Sequence, residues 1–533
     1  MNKIFLFILL LFNISCSNGI FDFYSETKPF EIINYRWEEK TILRASNAES
    51  GDYFGYTVAI SGETIAVGAY GEASNATTID NDDGSPTATV NGFSYAGAVY
   101  VYKKNTSGNW VQDAYLKPTN MDTSDHFAIN LAISNDIIVV GAYQEDNSLT
   151  TINNTDNCSI TQTDTASSSG AVYVFKKDGS GNWIQDAYLK ASNAASQDYF
   201  GSAVAISGDT IVVGAYGEDS SSTSIDNDDG DPTTDTNGLT DPGAAYVYKK
   251  DGSGNWIQDA YLKAPNAGTG DYFGHTVAIS GDTIVVGARG EDNSSTSINN
   301  SDSATITDAG TLTDSGAVYV FKKDGSGNWV RDAYLKASNT GVNDYFSGGE
   351  GAFNFAAGVA ISNDTIVVGA YGQDNSSTSI INTDDASITD AGTATDSGAV
   401  YVFKKKSNGD WFQDAYLKAS NAGASDLFGY SVAISGDYIV VGAYSEDNSS
   451  TSINNTDNAS INETSTALQS GAAYVFKKNT NGDWVQDAYL KASDAAASDL
   501  YGFSVAISGN IIVVGAYENA TGGAAYIIQG VKE

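Results

Sequence analysis

The chain has 533 residues, of which 41% are hydrophobic and 11% aromatic, so it can bury large cores and is not a disordered polymer. Its formal net charge is −38 at pH 7. That sign repels nucleic acid and anionic membrane surfaces and suits cations and basic partners, and it also keeps a secreted protein soluble. Two cysteines, Cys16 and Cys158, are too few for a disulfide framework.

Lys3 precedes the apolar run from Ile4 to Phe12, which is too short to span a bilayer as a mature helix. Asn13-Ile14-Ser15-Cys16 follows. A small residue before Cys at the end of such a run resembles the bacterial lipobox, although Asn13 stands where Leu is commonest. The resemblance implies lipidation of Cys16, a membrane anchor and an envelope or outer-membrane location, with exposure at the cell surface as one outcome. The alternative is an ordinary secretory signal cut nearby, which makes the protein secreted. On either reading it is exported. Residues 1–16 are read as the signal peptide, 17–36 as a linker and 37–530 as one repeat body.

Seven tryptophans, Trp37, Trp110, Trp183, Trp256, Trp329, Trp411 and Trp484, recur every 73 residues, except for one interval of 82 between Trp329 and Trp411. The extra residues lie in Ser347–Gly358. Each period repeats four strand-like segments. In the third copy, Ser202–Ser207 alternates, Gly208-Asp209 makes a two-residue hairpin, and Thr210–Ala215 is a β-branched apolar run. After a long Ser/Asp/Asn/Thr stretch come Gly243–Tyr248, a turn, and Trp256–Lys263. Four antiparallel strands repeated many times predict an all-β, seven-bladed β-propeller. The first copy begins at the fourth-strand segment Trp37–Arg44, and the last stops after the third, Gly523–Ile528. The N-terminal strand is therefore predicted to pair with the last blade and close the ring, leaving no end blade short of a strand.

Phe54-Gly55, Phe200-Gly201, Phe273-Gly274 and Phe428-Gly429 precede Val-Ala-Ile-Ser, then Val-Gly-Ala-Tyr or a variant, then Gly-Ala-Val-Tyr-Val or a close variant. This order resembles the FG-GAP repeat, the unit of the integrin alpha propeller, over nearly all of residues 37–528. Phe127-Ala128, Phe346-Ser347 and Leu500-Tyr501-Gly502 depart from it, and Tyr70, Tyr143, Tyr216, Arg289, Tyr371, Tyr444 and Tyr517 replace the motif's Pro. The family's calcium loops between the first two strands do not carry over. That connection is only Gly62-Glu63, Gly208-Asp209, Gly281-Asp282 or Gly436-Asp437 here, too few oxygens for calcium.

Acidic residues lie instead between the second and third strands, in loops 71–96, 144–169, 217–242, 290–315, 372–397 and 445–470; the seventh, Glu518–Gly522, is short. Asp80, Asp82 and Asp83 in the first loop, and Asp226, Asp228, Asp229 and Asp231 in the third, alternate beside a Gly and are candidate calcium ligands. The spacing misses an EF-hand, and a solvated loop whose Asp and Asn cap their own turns is the other reading. These connections emerge on one face of the ring, which is expected to carry the ligand contacts; the resemblance implies the same face. The tryptophans read as packing residues rather than sugar platforms, and Tyr53, Tyr199, Tyr272 and Tyr345 as packing at the blade junctions.

His126 and His275, the only histidines, occupy ordinary repeat positions, and no zinc spacing, catalytic triad or phosphate loop is visible. The chain is thus read as a binding protein and not an enzyme: an exported adhesion or ligand-capture protein whose partner is an extracellular protein or glycan, with the membrane as a second partner through Cys16. A polysaccharide- or lipid-acting enzyme and a purely structural envelope protein are the alternatives.

Overall fold

The computed structural model describes residues 34–81, 91–161, 163–227, 238–301, 306, 310–348, 358–389, 392–462, 466–519 and 522–533. Among them are seven four-stranded antiparallel sheets and no helix. Six blades run consecutively from Thr57–Leu116 to Ser431–Leu490. The seventh joins Ser504–Ser508, Ile511–Ala516 and Ala524–Lys532 to the first strand, Tyr35–Leu43, with Ile42 opposite Tyr526. The ring closes as the register of the repeats predicts.

Each blade's first strand lines the axis beside its neighbours, with Thr57–Ser61 adjoining both Asn130–Ser134 and Ser504–Ser508. The second and third strands, such as Thr210–Ala215 and Ala244–Lys250, are almost wholly buried. They are covered on both faces, which explains runs of apolar residues rather than alternation. The cores lie between blades: Val67 and Tyr100 of blade 1 pack with Leu43 and Ile527 of blade 7. A circle of serines ties the tight-turn face, where the oxygen of Ser61 accepts from Asn135 N–H at 3.0 Å and Ser508 from Gly62 N–H at 3.1 Å. The same contact recurs at every junction.

The recurring Phe-Gly and Gly-Ala pairs are two halves of one lock. Gly170, at the entry to the third strand of blade 2, bridges Phe200, at the entry to blade 3. It has φ +80°, and a Cβ there would lie 2.0 Å from the Phe200 carbonyl oxygen. Reciprocally, Gly201 has φ +90°, and its Cβ would come within 2.5 Å of the Ala171 oxygen. Glycine adopts this conformation, with backbone against backbone, without the strain that a Cβ brings. Where the motif's glycine is replaced, Ala128 and Ser347 still adopt φ +70° and +104°. The extra residues of the fifth interval fall between Ser347 and Gly358, which meet the same residue: Ser347 N–H donates to Gly369 O and Gly369 N–H to Gly358 O, both at 2.9 Å. Residues 349–357 lie outside the described residues.

The left-handed strain at Ala128 is of the order of 1 kcal/mol. Ala128→Gly is therefore expected to raise stability in urea unfolding by about that amount, and Gly201→Ala to lower it by about 2 kcal/mol or more. Equal and small effects at both positions would contradict the lock.

Candidate ligand-binding face and rim

The six long loops leave and re-enter on one face, but the described segments around Asp80 and its counterparts lie over the rim. An antiparallel blade leaves the outer edge of its fourth strand open to water, and the loop covers it. Asp80 N–H donates to Tyr115 O and Tyr115 N–H to Asp80 O, each at 2.9 Å. Asn153, Asp226, Asn299, Ile381 and Asn454 make the same two-bond bridge to Tyr188, Tyr261, Tyr334, Tyr416 and Tyr489. In blades 2, 5 and 6 a second pin follows, as Gln185 N–H donates to Asn157 Oδ1 at 3.0 Å and Asn157 N–H to Gln185 O at 2.8 Å.

The next residue of each loop reaches the neighbouring blade. Asn81 accepts from Trp183 N–H at 2.7 Å and donates its amide to Trp183 O at 3.0 Å. Asn154, Asn227, Asn300, Asn382 and Asn455 clasp Trp256, Trp329, Trp411, Trp484 and Trp37 in the same way. A side-chain amide offers a donor and an acceptor side by side, matching the N–H and C=O of one strand residue. The clasped indoles are buried, and each donates its Nε1–H to an aspartate of the preceding blade, as Trp183 does to Asp113 at 3.0 Å. Burial pushes Asp113 up, but bonds from Lys103 and Trp183 outweigh it and hold the carboxyl below its ordinary range.

Beneath the loop bases lie buried ion pairs. Glu145 meets Lys190 Nζ at 3.2 Å and accepts from Tyr188 OH at 2.9 Å, while Lys190 also donates to Ser169 Oγ and Gly170 O. Glu72–Lys117, Glu218–Lys263, Glu291–Lys336 and Glu446–Lys491 repeat the pair; Gln373 replaces the glutamate in blade 5. Desolvation lowers the Lys190 pKa despite the attraction of Glu145.

At the centre of the same face a crown of aromatic side chains closes the axial channel. Tyr56, Ile129, Tyr143, Tyr216, Tyr371, Tyr430 and Phe503 form its buried layer, with Tyr53, Tyr199, Tyr272 and Tyr345 half-buried above. Tyr53 stacks on Tyr70 (ring centroids 5.0 Å apart), Tyr199 on Tyr216 (4.9 Å) and Tyr345 on Tyr371 (5.2 Å). Arg289 takes the lower place under Tyr272, its guanidinium carbon 4.5 Å from the ring centroid. The outer tyrosines all have φ between +50° and +59°, which fixes their direction. Below the crown is a cavity of about 90 Å³ lined by His275, Asn130 and Ser504 among others. Asp125, near Glu145 and Asp146, is driven up to about 8 by desolvation despite accepting from Asp122 N–H at 2.8 Å.

Of the candidate metal ligands, Asp80 and Asp226 are rim-bridge residues, and Asp82, Asp83, Asp228, Asp229 and Asp231 lie outside the described residues, as does Cys16. Among the described residues no three His, Cys, Asp or Glu side chains converge on a metal-sized site. The tryptophans pack as expected, except that Trp110 is only half-buried. His126 takes the place of the outer tyrosine and touches Tyr70 and Tyr143, and His275 is buried at the channel. The Asn clasps and Glu–Lys pairs were missed. Their signal is the recurrent Ile-x-Asn in the loops and a Glu two residues after most of the Val-Gly-Ala-Tyr motifs.

The FG-GAP repeat model matches residues 37–102, 110–175, 183–248, 256–321, 411–476 and 484–528. The chain therefore belongs to the FG-GAP repeat family. Each matched unit starts at Trp and ends in a third strand, so it spans two blades and contains the Phe-Gly half of one lock and the Gly-Ala half of the next. No curated protein matches the chain. The repeat and the fold suit a binding or a structural role.

Asn154→Ala removes a bidentate edge clasp and is expected to cost about 2 kcal/mol, whereas Thr150→Ala, exposed in the same loop, stays within about 0.5 kcal/mol; chemical denaturation compares them. Asp125 supplies a pH dependence. Its folded pKa lies above the ordinary value, so its contribution is complete below about pH 4 and is lost as pH rises through about 8. The thermal midpoint of Asp125→Asn should fall less than that of the wild type between pH 4 and 8.

Proposed function

We propose that this is an exported, envelope-anchored binding protein that captures an extracellular protein or glycan on its loop-side face, with the tyrosine crown at the centre of the contact. The observation carrying the reading is the asymmetry of the disc. One face has only tight turns and both described ends of the chain, since Asn34, Tyr35 and Glu533 line one groove with the turn Ser435–Asp437. The other presents half-buried tyrosines in a fixed arc, with ring area and hydroxyls on offer. An anchor at Cys16 would attach on the tight-turn side and point the crown away from the membrane. Binding rather than catalysis is favoured because both histidines serve as packing residues at repeat positions. The acidic stretches after Asp80 and Asp226 are offered as calcium-dependent elements of the protein.

A structural envelope role is the second reading, favoured by the commitment of six loops to stapling the rim. Binding to immobilised matrix proteins and glycans, with and without chelator, separates the two. Capture that falls about tenfold or more in Tyr53→Ala with Tyr199→Ala supports the crown. Loss with chelator, and in Asp80→Ala with Asp226→Ala, supports the calcium element. No capture across the array would leave the structural reading.

A further inference from the structure

Among the described residues the rim cover occurs in six blades and not in the seventh. Ile42 holds the place in blade 7 that Tyr115 holds in blade 1, since it lies opposite Tyr526 as Tyr115 lies opposite Tyr100. Its outer N–H and C=O therefore point away from the sheet. The loop of that blade is the short Glu518–Gly522, and Asn519 turns inward to accept from Arg44 at 2.8 Å. Among the described residues no segment bridges the outer edge at Ile42, and no asparagine clasps the backbone of Trp110. Lys40 stands where the other blades have the indole-binding aspartate, as the register shows. Each of the six loops also sets an isoleucine against the core of the junction it crosses: Ile79, Ile152, Ile225, Ile298, Ile380 and Ile453. Among the described residues the core between blades 7 and 1 receives none, and of the seven tryptophans Trp110, at that junction, is the half-buried one.

Among the described residues three features thus coincide in one sector: an unbridged strand edge at Ile42, an unclasped strand at Trp110, and an apolar core between them that no loop isoleucine enters. We propose that this sector is a docking site for an extended segment of another protein chain with the pattern Ile-x-Asn-x-x-Asn or Ile-x-Asn-x-x-Asp. The chemistry of the occupant is displayed by the protein itself. In Ile152–Asn157 and Ile453–Asn458, the Ile enters the core, the next residue bridges the home strand, and the Asn clasps the neighbouring Trp. The final Asn pins the strand again at Gln185 or Gln486. Strand addition of this kind takes affinity from main-chain bonds and specificity from alternate side chains. A second copy is the weaker choice, because each carries a net charge of −38 and its Ile-x-Asn segments are already bound at home. The proposal concerns the rim and stands apart from the crown.

The test is titration of the full mature chain into a fluorescent peptide with the sequence of residues 452–460, Ser-Ile-Asn-Asn-Thr-Asp-Asn-Ala-Ser, followed by anisotropy. Saturable one-to-one binding is expected, weakened about tenfold or more when the peptide carries Asn455→Ala or Ile453→Ala. In the protein, Ile42→Pro removes the outer N–H, and replacement of 518–522 by the loop 445–470 fills the edge from within. Either change should abolish binding while the circular dichroism spectrum is kept, so failure of one variant to fold leaves the other decisive. Absence of saturable binding, equal binding of a scrambled peptide, or more than one site per chain would overturn the proposal. A dimer that the peptide dissolves would place a second copy on the edge and overturn the choice of occupant.

Discussion

The constraint on which the rest depends is the outer edge of the fourth strand. A propeller hides its first three strands in the ring and between blades, but each fourth strand ends the sheet with a row of N–H and C=O groups facing water, a template for unwanted pairing. The chain meets this with loops rather than with charge alone. Backbone bridges such as Asp80 to Tyr115 satisfy the home strand, and the adjacent asparagine satisfies the next blade at Trp183. One loop therefore does two jobs. It protects an edge, and it couples blades at a radius where the apolar contact between them is thinning.

The coupling is layered from axis to rim. Serine-to-turn bonds link neighbours on the tight-turn face, and the Phe-Gly and Gly-Ala lock links them at the loop face. The indole–aspartate bond and the Asn clasp link them at the outside. Buried Glu–Lys pairs inside the blades brace the loop bases. Such pairs add little net stability against apolar replacements but are costly to break singly, so they hold the loop roots in one place more than they hold the ring together. The closing blade takes part in the inner layers, through Gly62 with Ser508 and Phe54 with Gly523, and in the outer layer only on its blade 6 side.

The strands, their number and the circular closure could be read from the sequence because they rest on local signals. Two-residue Gly-Asp hairpins, β-branched runs and an evenly spaced Trp report the backbone directly, and the offset of Trp37–Arg44 from Gly523–Ile528 leaves one economical pairing. The path of the loops could not be read. A stretch of Ser, Thr, Asn and Asp has no periodicity to show which side faces protein, so its sequence implies only that it emerges on one face, whereas the segments around Asp80 and its counterparts cross the rim. The partner of Asn81 lies at Trp183, a full blade away, and a clasp of that kind is visible only as one Ile-x-Asn repeated in every loop. The crown was half legible: Tyr53, Tyr199, Tyr272 and Tyr345 were placed at the blade junctions, but their stacking on Tyr70, Tyr216, Arg289 and Tyr371 needs the convergence of seven blades.

This division of labour bears on where a ligand can be recognised. Loop residues that bridge and clasp are spent on the protein's own edges, and changing them would loosen blades before altering specificity. On the proposed binding role, the part of that face left for an outside partner is the crown, where left-handed backbone and contacts with Tyr70, Tyr216, Arg289 and Tyr371 hold the outer tyrosines. A rigid aromatic centre loses little side-chain freedom on binding. Recognition at the centre would then be shared by any protein built on these repeats with these tyrosines, and discrimination would come from the periphery. Among the described residues the seventh sector lacks the rim bridge, so on the proposed docking a partner that approaches the disc from the side would meet the strand edge at Ile42.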